Sequence, residues 1–243
     1  MKRFRCGELD LWATGGEDRE GGGEGPAILL CHGFGAQGDD LVGLARVSDV
    51  DRSVRWFFPE APLSIDFGGG QTGRAWWPID MMRMQAALAR GESRSLAKET
   101  PEGLGKARSL LEGALDELEA SHGVRRDRLI LGGFSQGGML TTEIALHSAE
   151  RPFAGLAILS GTLLSEDRWT AAVKTSGPTV RAIVTHGRRD PILPFAGSEA
   201  LRDLLLANGA EVQFVAHNGQ HEIPQVALDA LAGLARARLH TAD

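Results

Sequence analysis

The chain has 243 residues, with 26 Lys and Arg against 32 Asp and Glu, a net charge of −6 and a pI near 5.7. That length fits one α/β domain able to bury roughly 70% of its unfolded surface. The acidic balance, with no block of consecutive Lys or Arg, argues against a phosphate-binding surface and a nucleic-acid partner.

No apolar stretch approaches the roughly 18 residues of a spanning helix. The basic start Met1-Lys2-Arg3-Phe4-Arg5 leads into no apolar signal core. Cys6 and Cys31 are the only cysteines, too few for a disulfide scaffold and without metal-ligand spacing. The expectation is a cytoplasmic protein without stable membrane insertion. Its oligomeric state is left open.

In chain order, residues 5–13 alternate loosely, as an edge strand or half of a hairpin would, and 15–25 form a polar, glycine-rich loop. Residues 27–31 are apolar throughout, the pattern of a parallel strand buried on both faces. They run into His32-Gly33-Phe34-Gly35-Ala36-Gln37-Gly38 and a helix expected over 39–48. That loop lacks the Lys-Ser/Thr ending of a phosphate-binding loop and the full G-x-G-x-x-G spacing. His32, at a strand terminus, is either a catalytic base or a residue orienting its loop, and the second is preferred. Cys31 is read as a small apolar residue, with a reactive thiol as the alternative.

Residues 54–58 form a second apolar strand, closed by Pro59-Glu60-Ala61-Pro62, and 66–77 read as a glycine-rich loop ending in Trp76 and Trp77. Paired tryptophans suit either the core or the wall of an apolar pocket, and the sequence does not choose. Residues 79–90 look helical, with Met81, Met82 and Met84 as packing or part of a lid. Pro101 opens a long helix to about His122, apolar along Leu104, Ala107, Leu111, Ala114, Leu115 and Leu118.

The apolar run Leu129-Ile130-Leu131 then leads through Gly132 to Gly133-Phe134-Ser135-Gln136-Gly137, and a helical pattern follows through Leu146. A serine in G-x-S-x-G between strand and helix is the context of a nucleophile elbow. The bland alternative, an ordinary N-cap serine among turn glycines, does not account for the strand and helix on their correct sides. Given that serine, the glycine-rich loop at 32–38 becomes the source of backbone N–H groups for an oxyanion.

Three further strands are predicted at 153–160, 180–185 and 212–216, with helices at about 169–174, 195–208 and 224–239. Strands and helices alternate without an internal repeat, so the fold class is α/β, a mainly parallel sheet with helices on both faces. One domain spans 1–243. Within it, 26–62 carry the oxyanion-loop strand and the following βαβ unit, 63–100 are a possible lid or pocket insertion, and 128–243 carry the elbow and the acid and base loops.

A neutral serine hydroxyl is a poor nucleophile and needs an imidazole, which in turn needs a carboxylate to hold its tautomer. Parallel strands deliver such groups beyond their carboxyl ends, where Asp190 and His221 follow the last two predicted strands. His217 is the alternative base, but it lies at the strand end, whereas His221 has a longer loop to fold back over the serine. Glu166 or Asp167 is the alternative acid. Asp190 is preferred for its setting between His186-Gly187 and two prolines.

With these residues in hand, the chain resembles the phospholipase/carboxylesterase family of α/β-hydrolases, which includes bacterial carboxylesterases and acyl-protein thioesterases. The family's L-H-G-x-G resembles Cys31–Gly35 and its F-P-x-A-P resembles Phe58–Pro62. Its W-F-D-I resembles Trp77–Asp80, its G-F-S-Q-G-G is identical to Gly133–Gly138, and its H-G-x-x-D-x-x-P fits His186–Pro194.

The resemblance implies Ser135 as nucleophile, Asp190 as acid, His221 as base, and the backbone N–H groups of Phe34 and Gln136 as oxyanion donors. It implies hydrolysis of esters or thioesters through an acyl-enzyme, with no metal or cofactor. Trp76 and Trp77 are then the expected wall of a pocket for short to medium acyl chains. Departures are Gly35-Ala36-Gln37-Gly38 where the family carries G-D-T-G, and a segment 66–100 richer in Trp and Met. The readings set against this one are a non-catalytic binding protein on the same scaffold, and a transferase, peptidase or dienelactone-type hydrolase.

Overall fold

The computed structural model describes residues 1–80, 82, 86, 90 and 96–239. Its centre is an eight-stranded sheet of order β1-β2-β4-β3-β7-β8-β9-β10. Strands β1 (Lys2–Cys6) and β2 (Leu9–Gly15) form an antiparallel hairpin, and β2 pairs antiparallel with β4 (Arg55–Pro59). From β4 onward all pairing is parallel, through β3 (Ala27–Cys31), β7 (Leu129–Phe134), β8 (Gly155–Leu159), β9 (Arg181–Gly187) and β10 (Glu211–His217).

The central strands β3, β7 and β8 carry no charged or polar side chain and are almost wholly buried because both faces are covered. Along β3 the residues alternate between two cores: Leu29 and Cys31 join one cluster, Ile28 and Leu30 the other. On the first side lie α2 (Leu104–His122), α3 (Gln136–Leu146), α4 (Glu166–Ser176) and α5 (Phe195–Ala207). On the second side lie α6 (Gln225–Arg238) and the turns around Leu41. The buried stripe of α2 is the one its sequence marked, Leu104 to Leu118, and the helix stops at Gly123, whose φ of +62° suits glycine. Among the described residues, no helix is long and apolar enough to cross a membrane.

One buried charge ties three helices together. Glu143 of α3 has no exposed side-chain surface and accepts hydrogen bonds from Arg108 of α2 (3.3 Å), and from Arg168 and Trp169 Nε1 of α4. Both arginines reach solvent, so the carboxylate is paired without a fully buried cation.

Two expected elements differ. The helix expected over 39–48 shrinks to α1 (Leu44–Val47), preceded by turns in which Asp40 and Val42 N–H donate to the carbonyl three residues back. Gly38 and Gly43 interrupt the segment, and glycine is a poor helix former. Residues 66–77 are not an open loop: β5 (Leu63–Gly68) and β6 (Gln71–Ala75) pair antiparallel. Their turn is Gly68-Gly69-Gly70, all at positive φ with open space around them, a conformation that glycine adopts without strain. The helix expected over 79–90 falls largely outside the described residues, as do Met81 and Met84. Met82 is described and stands in solvent, 83% exposed.

Candidate active site

Strand β7 delivers Phe134 to the sheet edge, and Ser135 follows at φ 53° and ψ −116°, immediately before α3. Positive φ is strained for a residue with a Cβ, at a cost of order 1–3 kcal/mol. The surroundings enforce it. Ser135 N–H donates to Leu159 O (2.8 Å) and Met139 N–H donates to Ser135 O (3.0 Å). The crossing of strand and helix is so close that a Cβ on Gly137 would lie 2.2 Å from Cys31 O, and one on Gly133 2.5 Å from the Gly137 carbonyl carbon. Glycine at both places is therefore a steric requirement of the elbow.

The loop after β3 lies against this serine: a Cβ on Gly33 would be 3.4 Å from Ser135 Cβ. Among the described residues, the backbone N–H groups of Phe34 and Gln136 donate no hydrogen bond, so both remain free for an incoming anion. Their neighbours are pinned. His32 accepts from Ala61 N–H at Nε2 (3.1 Å) and meets Gly33 O at Nδ1 (2.8 Å), which makes Nδ1 the protonated nitrogen. Burial, the largest influence on this ring, pushes its pKa down. His32 thus holds its loop, with both nitrogens engaged.

The hairpin edge completes the brace. Gly35 N–H donates to Arg74 O (2.8 Å) and Arg74 N–H donates to Ala36 O (2.9 Å). Trp76 Nε1 donates to His32 O (3.0 Å), while Trp76 N–H donates to Gln136 Oε1 (2.9 Å) and Gln136 Nε2 donates to Trp77 O (2.9 Å). Trp76 and Trp77 are 2% and 3% exposed and pack in the first core cluster. Rings with so little accessible surface face no open cavity. Of the two roles the sequence left open, the wall of an apolar pocket gives way to core and brace.

Asp190 and His221 arrive on interlocked loops. Arg188 N–H donates to His217 O (2.8 Å), Arg189 N–H donates to Gly219 O (3.1 Å), and a Cβ on Gly187 would meet Gln220 O at 2.1 Å. Asp190 Oδ2 lies 2.6 Å from His221 Nδ1, and Oδ1 accepts from Ile192 N–H (2.8 Å) and Leu193 N–H (2.9 Å). Burial alone would raise the Asp190 pKa, but hydrogen bonds from His186, His221 and Leu193 N–H outweigh it and hold the carboxyl well below the usual range. An ionised carboxylate only accepts, so His221 carries its proton on Nδ1 and leaves the Nε2 lone pair free.

The His221 ring packs on Phe134, the residue before the serine, with centroids 4.8 Å apart. No hydrogen bond yet joins Ser135 Oγ to His221 among the described residues, a looseness common before substrate binds. His217 is engaged within its own loop: its Nδ1 accepts from Gly219 N–H (3.2 Å), and burial depresses its pKa. Glu166 and Asp167 stand exposed on the first turn of α4. Cys31 is fully buried, which pushes its thiol far up and leaves it inert.

The model of the phospholipase/carboxylesterase family matches residues 20–235. The chain belongs to this family. It is 25% identical over 182 residues to an acyl-protein thioesterase 1 of Schizosaccharomyces pombe, covering 74% of this chain and 75% of that protein. It is 29% identical over 180 residues to the Kluyveromyces lactis acyl-protein thioesterase 1, covering 71% and 73%. Among solved structures, esterase PE8 superposes with a TM-score of 0.75 at 25% identity, covering 95% of this chain and 99% of that one.

Family membership and fold make this chain a serine hydrolase of the carboxylesterase class on an α/β-hydrolase scaffold. Within the phospholipase/carboxylesterase framework, the structure brings together Ser135, Asp190, His221, Phe34 and Gln136, all named from sequence. It also adds residues that sequence reasoning passed over. Ser160, itself at φ 50°, donates from Oγ to Glu222 O (3.2 Å) and so fixes the loop that carries His221. The Gln136 side chain is a second: Gln136→Ala would strand a buried N–H and C=O of the Trp76-Trp77 segment. The expected result is a stability loss of about 1–3 kcal/mol per orphaned group. A fall in kcat on the order of 10- to 100-fold should accompany it as the oxyanion amide shifts, read by thermal melts and ester turnover.

Proposed function

We propose that the chain hydrolyses carboxylic esters or thioesters through an acyl-enzyme on Ser135. His221 Nε2 takes the serine proton as Oγ attacks the acyl carbon, Asp190 stabilises the resulting imidazolium, and the N–H groups of Phe34 and Gln136 receive the oxyanion. His221 then returns the proton to the leaving group, and water, activated by the same nitrogen, releases the acid. The observation that carries this reading is the 2.6 Å Asp190–His221 contact beside a strained serine with two unspent amides. Two cysteines that remain free thiols fit the reducing conditions of the cytoplasm.

The pH profile follows from the protonation states. Asp190, held low, stays ionised across the working range, so the acid limb belongs to the base alone. kcat/KM should fall with a one-proton slope as pH drops, because a protonated base cannot take the serine proton. A flat profile from about pH 5 to 8 would rule out a histidine base.

With Trp76 and Trp77 buried, chain-length selection passes to the hairpin. Phe67 is 47% exposed, and a Cβ on Gly35, beside the Phe34 donor, would lie 3.0 Å from its ring. A preference for short to medium acyl chains over acetate is expected, each buried methylene adding up to about 0.8 kcal/mol, or roughly fourfold in kcat/KM. A panel of p-nitrophenyl esters and acyl-thioesters of two to ten carbons tests it. Phe67→Ala should flatten the series, and a profile parallel to wild type would remove Phe67 from substrate selection.

A further inference from the structure

We propose that His186 is a positioning residue for the acid of this site, its Nε2–H holding Asp190 Oδ2 in the orientation that the bond to His221 requires. The inference rests on the Ser135, His221 and Asp190 assignment above. His186 is the penultimate residue of β9 and has no exposed side-chain surface. Its Nε2 lies 2.9 Å from Leu193 O and 3.2 Å from Asp190 Oδ2, two groups that can only accept. The proton is therefore on Nε2, directed to Leu193 O, with Asp190 Oδ2 3.2 Å from the same nitrogen.

Nδ1 is buried and has no partner among the described residues. A second proton there would be stranded, which keeps the ring neutral. The ring is fixed from its flank by Phe195, edge-on at 6.1 Å between centroids.

This arrangement divides the work around one carboxylate. Oδ1 is saturated by the Ile192 and Leu193 amides. Oδ2 faces two imidazoles, His221, which exchanges a proton during turnover, and His186, whose Nε2 lies 3.2 Å away and is tied to Leu193 O. Beyond these, the titratable neighbours of Asp190 are His217, within electrostatic range, and Glu222 beside His217. With His186 removed, Oδ2 would be held by the catalytic ring alone, and the turn from Asp190 to Leu193 would lose its tie at the Leu193 carbonyl.

The test begins on the wild-type protein with fluorophosphonate labelling and two-bond 1H–15N spectra of the histidines. An unlabelled wild type would refute the hydrolase reading on which this rests. In a labelled protein, a neutral Nε2–H tautomer at His186 is expected, and an Nδ1–H tautomer or an imidazolium would overturn the proposal without any substitution. His186→Phe should lower kcat by about 10- to 100-fold while KM changes little.

The acid limb of that variant should move to higher pH, because a carboxylate with one donor fewer holds the His221 proton more tightly. His186→Gln, which restores an N–H near the position of Nε2, should recover most of the rate and return the limb. A folded His186→Phe variant with wild-type kcat and an unmoved limb would overturn the proposal, while labelling would still uphold the triad.

Discussion

Ser135→Ala is expected to lower kcat by on the order of 10⁴- to 10⁶-fold while the fold survives. The substitution removes only Oγ. It keeps the Cβ at the strained φ, the hydrogen bonds of Ser135 N–H and C=O to Leu159 and Met139, and the close crossing at Gly133 and Gly137. A melting temperature near that of wild type, with residual turnover from binding and the oxyanion amides alone, is the predicted pair of readings. Wild-type-like hydrolysis by a folded, uncontaminated variant would end the serine-hydrolase account.

Asp190→Asn should cost about 10⁴-fold in kcat, and the hydrogen-bond geometry gives the reason. Oδ1 faces two backbone N–H groups, and Oδ2 faces His186 Nε2 and His221 Nδ1. An amide NH2 meets donors in either orientation, so His221 must change tautomer or two amides must lose their acceptor. A stability loss of about 1–3 kcal/mol at neutral pH should accompany the kinetic loss.

The sign with pH is fixed by the depressed carboxyl of Asp190. Its contribution is fully present above the ordinary carboxylate pKa of about 3.9 and is lost as pH falls through the folded-state value. The stability gap between wild type and variant should therefore close in strong acid. Activity measured beside melts at neutral and acid pH separates the two effects, and a fully active Asp190→Asn enzyme would transfer the acid's role elsewhere.

The groups proposed to do chemistry were legible because local pattern places them. G-F-S-Q-G between an apolar strand and a helix puts Ser135 at an elbow, and parallel strands bring whatever follows β9 and β10 to the same edge. The supports were less legible, since they depend on the register of distant segments. Gln136 looks like one more elbow residue until its side chain is seen to clamp the backbone of Trp76 and Trp77, some sixty residues earlier. His186 sits four residues before Asp190 in a spacing noticed only as a motif, and its function lies in a bond across a turn.

The three glycines at 68–70 suggested looseness, whereas their positive φ values form the tip of a hairpin whose edge braces the oxyanion loop. Burial decided the tryptophans. Large rings suit core and pocket equally by composition, and only burial within the folded core distinguishes the two.

The most direct measurement is intact-mass and peptide mass spectrometry after treatment with a fluorophosphonate. The phosphorus centre requires a serine activated as described and an oxyanion site to receive the developing charge, and it requires no knowledge of the natural acyl group. One adduct per chain, on Ser135, slowed in acid as the base is protonated and absent from Ser135→Ala, is the predicted result. A folded wild-type protein that takes up no label, or takes it up on another residue, would contradict the account.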